Sequence, residues 1–196
     1  MLENLDRLFV LLFNKNRVKI KQIETISRKD QTVFKEKVPD SIGWYLAGFV
    51  DGEGSFNISL RRKPDYKVGW QPVLSFNVSQ KELTILLLMK NYFDCGIIKR
   101  RKDGLYSYDV TNPKAIKEII LPFFEKYHFL SEGKKRNYEL FKKIAQLMFK
   151  KKHLEQKGFR KLVKIREKLN IGKGRKRKYT LNTVLESSET IRQVPV

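Results

Sequence analysis

Between Ser55 and Arg61 the chain alternates strictly. Phe56, Ile58 and Leu60 fall on one side, and Ser55, Asn57, Ser59 and Arg61 on the other. This period of two predicts a strand with one buried face. Trp70, Leu74, Phe76 and Val78 repeat the pattern against Gln71, Val73, Ser75 and Asn77, and Pro64-Asp65 marks the loop between the two runs. A second hairpin is expected around Lys102-Asp103-Gly104, from Ile97–Lys102 and Leu105–Thr111. In it Ile98, Tyr106, Tyr108 and Val110 face the core, while Lys99, Arg101, Ser107 and Asp109 extend the polar face.

Helical spacing fills the rest. Asp40 or Ser41 can cap a helix of about ten residues that starts after Pro39. Lys81–Phe93 reads as a helix covering the sheet, with Gly96 ending the connection. Pro113 opens a helix that reaches to about His128 and carries Ile119, Ile120, Phe123 and Phe124. Ser131 caps another, to about Lys150, with Tyr138, Phe141, Ala145 and Met148 on one stripe. Gly158 to Asn170 follows, with Gly172 as its stop. The order is helix, hairpin, helix, hairpin, helix, helix: an α/β chain.

The two ends differ from this middle. In residues 1–39, Leu5–Phe13 is apolar nearly all round and gives way to a basic, polar run ending at Pro39. Glu3, Asp6 and the lack of a small-residue cleavage site argue against a signal peptide. A short helix packing on the main domain is expected, with a fused or vestigial leader as the alternative. Residues 173–196 form a basic tail. Its opening run G-K-G-R-K-R-K (Gly172–Lys178) suits a nucleic-acid patch, or a nuclear-localisation run, that is flexible when free.

Charge sharpens the picture. The 196 residues carry a formal net charge of +21 and a pI near 10.0, and Glu132–Lys178 alone holds 19 Lys or Arg against 4 Glu. Such a field points to a polyanionic partner. A membrane partner is not expected, because no run approaches the ~18 apolar residues of a spanning helix. With Cys95 as its single cysteine, the chain has no intramolecular disulfide and no cysteine zinc site, which fits a reducing compartment. A two-stranded ribbon with a polar outer face fits the width of a DNA major groove, where base edges meet its donors and acceptors. On that reading Ser55, Asn57, Ser59, Arg61, Gln71, Ser75, Asn77, Lys99, Arg101, Ser107 and Asp109 are the DNA-facing candidates.

Trp44–Phe56 reads W-Y-L-A-G-F-V-D-G-E-G-S-F. Gly43/Ala47 and Gly48/Gly52 each recur at helical spacing, giving two small stripes that admit another helix at close range. Asp51 and Glu53 sit at the helix C-terminus, where carboxylates face the negative end of the dipole at a cost in stability. A hard metal ion is the obvious reason to tolerate that cost.

L-A-G-F-V-D-G-E-G (Leu46–Gly54) resembles the LAGLIDADG nonamer of homing endonucleases, with conservative changes only. S-F-N-I-S-L follows where that family has its first DNA-binding strand. The resemblance implies an αββαββα core over residues 40–172 with a curved antiparallel DNA-binding sheet. It implies a site-specific double-strand DNA endonuclease, intron-encoded and dependent on Mg2+ or Mn2+. By resemblance Glu53 binds the metal, the Gly52 carbonyl is a further ligand, and Asp51 is structural. Gln80 matches a position that orders water near the metal, and Lys134 resembles the lysine that opens the later helix, with Lys135 as its competitor. Thr84 departs from single-motif members that place an Arg one turn after the Gln.

The other class of function on this fold is a binder: an RNA maturase that recognises intron RNA, or a non-cutting DNA-binding protein. Retention of Glu53 favours the nuclease. A third, unrelated reading, a general basic RNA-binding protein, explains the charge but not the nonamer. Only one nonamer occurs, yet cutting both strands takes two active centres. A homodimer is therefore expected, through Gly43, Ala47 and Gly48, acting on a pseudo-palindromic site; the resemblance further implies short 3′ overhangs. The expected setting is intracellular: a mitochondrion, a plastid or a bacterial cytoplasm.

Overall fold

The computed structural model describes residues 38–171 and 178–184. The expectations for residues 1–37, and for most of the tail, lie outside them. The described residues from Pro39 onward form one compact unit. Its first element is helix α1 (Asp40–Glu53), which runs directly into strand β1 (Gly54–Arg62). Strand β2 (Trp70–Gln80) and helix α2 (Thr84–Phe93) come next, then β3 (Ile97–Arg100) and β4 (Tyr106–Val110). Helix α3 is built from Pro113–Ala115, a π turn at Ile116–Ile120, and Leu121–Lys126. Helices α4 (Glu132–Phe149) and α5 (Gln156–Glu167) complete the described fold, with a 3₁₀ turn at Lys152–Leu154 between them.

The strands form one antiparallel sheet in the order β1-β2-β4-β3. The alternation places side chains as the pattern predicts. Phe56, Ile58, Leu60, Trp70, Leu74, Phe76, Val78, Tyr108 and Val110 are buried under the helices. Phe56 is the centre of the core, stacked on Phe76 at 5.3 Å and meeting Phe124, Phe129 and Phe141 at 5.7, 5.8 and 5.1 Å. Rings at these separations add directional attraction to the area they bury.

Element ends differ from the sequence expectation where local chemistry competes. Helix α2 starts at Thr84 rather than Lys81. Helix α1 starts at Asp40 with no side-chain cap. The Asp40 carboxylate binds Lys126 Nζ at 2.6 Å and the Tyr127 hydroxyl at 2.8 Å instead. The π turn in α3 ends two residues before Pro122, which has no N–H for the Glu118 carbonyl and whose ring would press on it. A locally widened turn makes room for that ring. Asn112 caps α3 by accepting from Lys114 N and Ala115 N at 2.8 and 3.3 Å.

The expected tail boundary at residue 173 needs correction. Tyr179 packs edge-on against Trp70 at 4.7 Å, its carbonyl accepts from the Arg166 guanidinium at 3.2 Å, and Val184 is buried. The segment 178–184 therefore belongs to the sheet domain.

Candidate functional site

The end of α1 and the start of α4 meet, and each supplies what the other's terminus lacks. A helix N-terminus exposes N–H groups and partial positive charge; a C-terminus exposes carbonyls and partial negative charge. Asp51, near the C-terminus of α1, accepts from Leu130 N at 3.0 Å, Ser131 N at 2.9 Å and the Ser131 hydroxyl. Its carboxylate thus lies at the positive end of α4 rather than against the dipole of its own helix. In return Lys134, from the first turn of α4, donates through Nζ to the Gly54 carbonyl at the end of α1. Ser131 Oγ caps α4 by accepting from Lys134 N at 3.4 Å.

Electrostatics follow from this exchange. Burial pushes the Asp51 carboxyl up, but the Ser131 and Leu130 donors and the Lys134 charge outweigh it and hold it below the usual carboxylate range. Burial pulls the Lys134 ammonium below its ordinary value, against the opposing charges of Asp51 and Glu53. Lys135 is engaged elsewhere, paired with Glu132 at 2.9 Å. Of the two lysines, only Lys134 is turned to the end of α1.

Glu53 and Gly52 are exposed at that end. The pairing Gly54↔Val78 puts Gln80, two residues further along β2, at the same end of the sheet. Its Oε1 accepts from Lys81 N at 3.3 Å. Among the described residues, no three His, Cys, Asp or Glu side chains gather as a cation site. Donor chemistry agrees: one carboxylate and one last-turn carbonyl suit an ion of the Mg2+ type, which keeps several waters and shares its sphere with substrate phosphates.

The two small stripes of α1 are not equivalent. Gly43 is buried under the Tyr127 ring, where an added Cβ would lie 2.2 Å from the ring, and Ala47 is buried as well. Their assignment to a dimer contact is corrected: that stripe is filled by this chain's own Tyr127, a contact 84 residues away that local spacing cannot reveal. Around Gly48 and Gly52 a Cβ would meet nothing within 4 Å. Beside them Trp44 and Tyr45 are 46% and 52% exposed. The open face of α1 is therefore Trp44, Tyr45, Gly48 and Gly52.

On the outer sheet face the register pairs Ser55 with Asn77, Asn57 with Ser75, Ser59 with Val73, and Arg61 with Gln71. Asn77 is level with Asp109, and Lys99 with Ser107. The candidates thus share one face, though not equally. Ser107 is buried and donates to Asp109 Oδ1 at 2.8 Å, so it contributes to the sheet rather than to an outward surface. Lys99 pairs with Asp109 at 2.5 Å. Arg101 lies just beyond β3, held by both Asp103 oxygens at 3.2 and 2.8 Å. The alternation missed two residues. Arg166 Nε donates to the Ile58 carbonyl at 3.1 Å, and Asn170 Nδ2 to the Phe56 carbonyl at 2.7 Å. Both lie far along the chain, and only a buried Arg inside an apolar helix stripe hints at the first.

The chain thus sets a helix ending in a paired acid–lysine corner against a sheet with one polar outer face. The LAGLIDADG endonuclease family model matches residues 46–145, and the chain belongs to that family. It is 33% identical over 158 residues to "Probable intron-encoded endonuclease 2" of Neurospora crassa, covering 74% of this chain and 35% of that protein. The archaeal intron-encoded homing endonuclease I-Vdi141I, solved in complex with DNA, superimposes with a TM-score of 0.72 at 30% identity. That match covers 78% of this chain and 98% of I-Vdi141I. I-SmaMI, bound to uncleaved DNA in the presence of calcium ions, gives 0.63 at 37% identity over 67% of this chain and 46% of its own. The chain spans about a third of the Neurospora relative's length and under half of I-SmaMI. Among the described residues no helix is long and apolar enough to cross a membrane.

Proposed function

We propose that this chain is a homing endonuclease that binds double-stranded DNA on the outer face of its sheet and cuts both strands as a homodimer. One observation carries the reading most directly. Of the two acids in the family's nonamer, Asp51 is consumed by the fold, while Glu53 stays exposed beside Lys134. An exposed acid beside a half-buried cation has no structural task here, and both suit phosphodiester hydrolysis. The names of the relatives and the DNA in the neighbouring structures support the same choice of substrate.

Glu53 and the Gly52 carbonyl would hold a divalent ion, Mg2+ or Mn2+, which supplies charge neutralisation and an acidified water when bound. Lys134, fixed on the Gly54 carbonyl, places a positive charge where negative charge develops on the phosphoryl oxygens. Burial holds its ammonium below the ordinary lysine value, against the pull of Asp51 and Glu53. Gln80 orders water from the neighbouring strand end. Water oxygen bonds to phosphorus, the bond to the 3′ oxygen breaks, and the products are a 5′-phosphate and a 3′-hydroxyl. The open Trp44, Tyr45, Gly48 and Gly52 face receives α1 of a second copy, bringing a second Glu53 to the two-fold axis. An intracellular setting, organellar or bacterial, suits the single free cysteine and the intron-encoded relatives.

Selection of cleaved duplexes from a randomised library, with and without Mg2+, tests this. Glu53→Gln keeps the shape and removes the charge, so cutting should fall by at least about a hundredfold while binding persists. Undiminished cutting by Glu53→Gln would sink the assignment.

A further inference from the structure

Asn170 stands at the end of α5 with φ 51°, in the left-handed region. Its backbone N–H donates to Asn137 Oδ1 on α4 at 2.9 Å, which fixes the main chain there. Its side-chain Nδ2 donates to the Phe56 carbonyl at 2.7 Å and reaches Asn57 Oδ1 at 3.0 Å. Asn57 in turn donates through Nδ2 to Ser55 Oγ at 2.8 Å.

These bonds fix the orientation of an amide on the outer sheet face. The Phe56 carbonyl only accepts, so the group of Asn170 that meets it must be the NH2. The same NH2 meets Asn57, so Asn57 must turn its oxygen toward Asn170 and its NH2 toward Ser55. An Asn amide reads adenine through one donor and one acceptor, and its two ends are interchangeable by a half-turn unless something sets them. Here the direction originates at a main-chain carbonyl and is transmitted by Asn170.

We propose that Asn170 is a specificity-positioning residue: it sets the direction of the Asn57 amide and so decides which base edge Asn57 accepts. This rests on the reading that the outer sheet face binds DNA. Asn170 itself need touch no base.

The test uses the full chain and a randomised duplex DNA library, scored for base preference at each position alongside thermal melting. Glycine suits the positive φ, so Asn170→Gly removes the amide without backbone strain. It should relax preference by about tenfold at the base pair that Asn57→Ala also relaxes, leaving other positions unchanged. In an Asn57→Ala background, Asn170→Gly should add nothing at that position. Asn170→Asp presents only acceptors, which the Phe56 carbonyl repels, so Asn57 loses the donor that holds its oxygen and its preference should relax as in Asn170→Gly. Relaxation equal at all positions, additive effects in the double variant, or no change at the Asn57 position would each overturn the inference. Asn57→Ala without effect on any base would instead overturn the reading of the sheet face beneath it.

Discussion

Gly43, Ala47 and Asp51 lie along one stripe of α1; Gly48 and Gly52 lie along the other, with Glu53 closing the helix. The spacing is the same, and the surroundings are opposite. The first stripe meets Tyr127 and the N-terminus of α4, whereas nothing within 4 Å would touch a Cβ on the second. The inner stripe is used up within the chain, and the outer one is the surface proposed above for a second copy. Small residues in one motif thus stand in two settings: at Gly43 a ring packs on the backbone, and at Gly48 and Gly52 the backbone stays open, as the proposed pairing requires.

Substitutions to leucine should break this comparison most severely. Gly43→Leu drives a side chain through the Tyr127 ring and should prevent folding, losing more than the ~1–3 kcal/mol of ordinary overpacking. Ala47→Leu should fall within that range and show as a lower melting midpoint. Gly48→Leu should leave the fold intact and abolish the proposed dimer, as sedimentation of the pure protein would show. A fully dimeric Gly48→Leu protein would place the partner elsewhere.

The two acids give the next contrast. Asp51→Ala removes the acceptor that holds Leu130 N, Ser131 N and the Ser131 hydroxyl at the start of α4, and should cost about 1–2 kcal/mol in denaturant unfolding, with cutting reduced indirectly. Glu53→Ala should change stability by under about 0.5 kcal/mol while eliminating cutting. If both variants unfolded alike, the division of labour between them would be wrong.

The smallest effect is in pH. The folded state holds the Asp51 proton more weakly than the unfolded chain does. Its contribution is therefore complete above the ordinary carboxylate pKa and is lost as pH falls through the lower folded value. The stability gap between the natural protein and Asp51→Asn should narrow over that acid window and stay constant through neutrality.

Much of this was legible in the residues. Alternation assigned the inner and outer faces of β1 and β2, because a buried sheet face writes itself into every second position. Ser131 announced the start of α4, because capping is local. What stayed hidden depends on contacts between distant segments. Nothing near Asp40 says that its carboxylate belongs to Lys126 and Tyr127, and nothing near Asp51 names Leu130 and Ser131 as its donors. The polar face was read correctly as a face, but not Ser107's burial or the tie between Lys99 and Asp109. Periodicity tells which way a side chain points; it does not tell what is already there.

The two carbonyls that Arg166 and Asn170 occupy belong to β1, the outermost strand. An outermost strand with open carbonyls is a template on which further chains can add, strand upon strand, toward insoluble fibres. Here that edge is stoppered by side chains. The opposite edge, β3, is only four residues long and carries Lys99 and Arg100, both unwelcoming to an added strand. Sheet extension is thereby discouraged on both sides, and neither edge offers a start for an open-ended polymer.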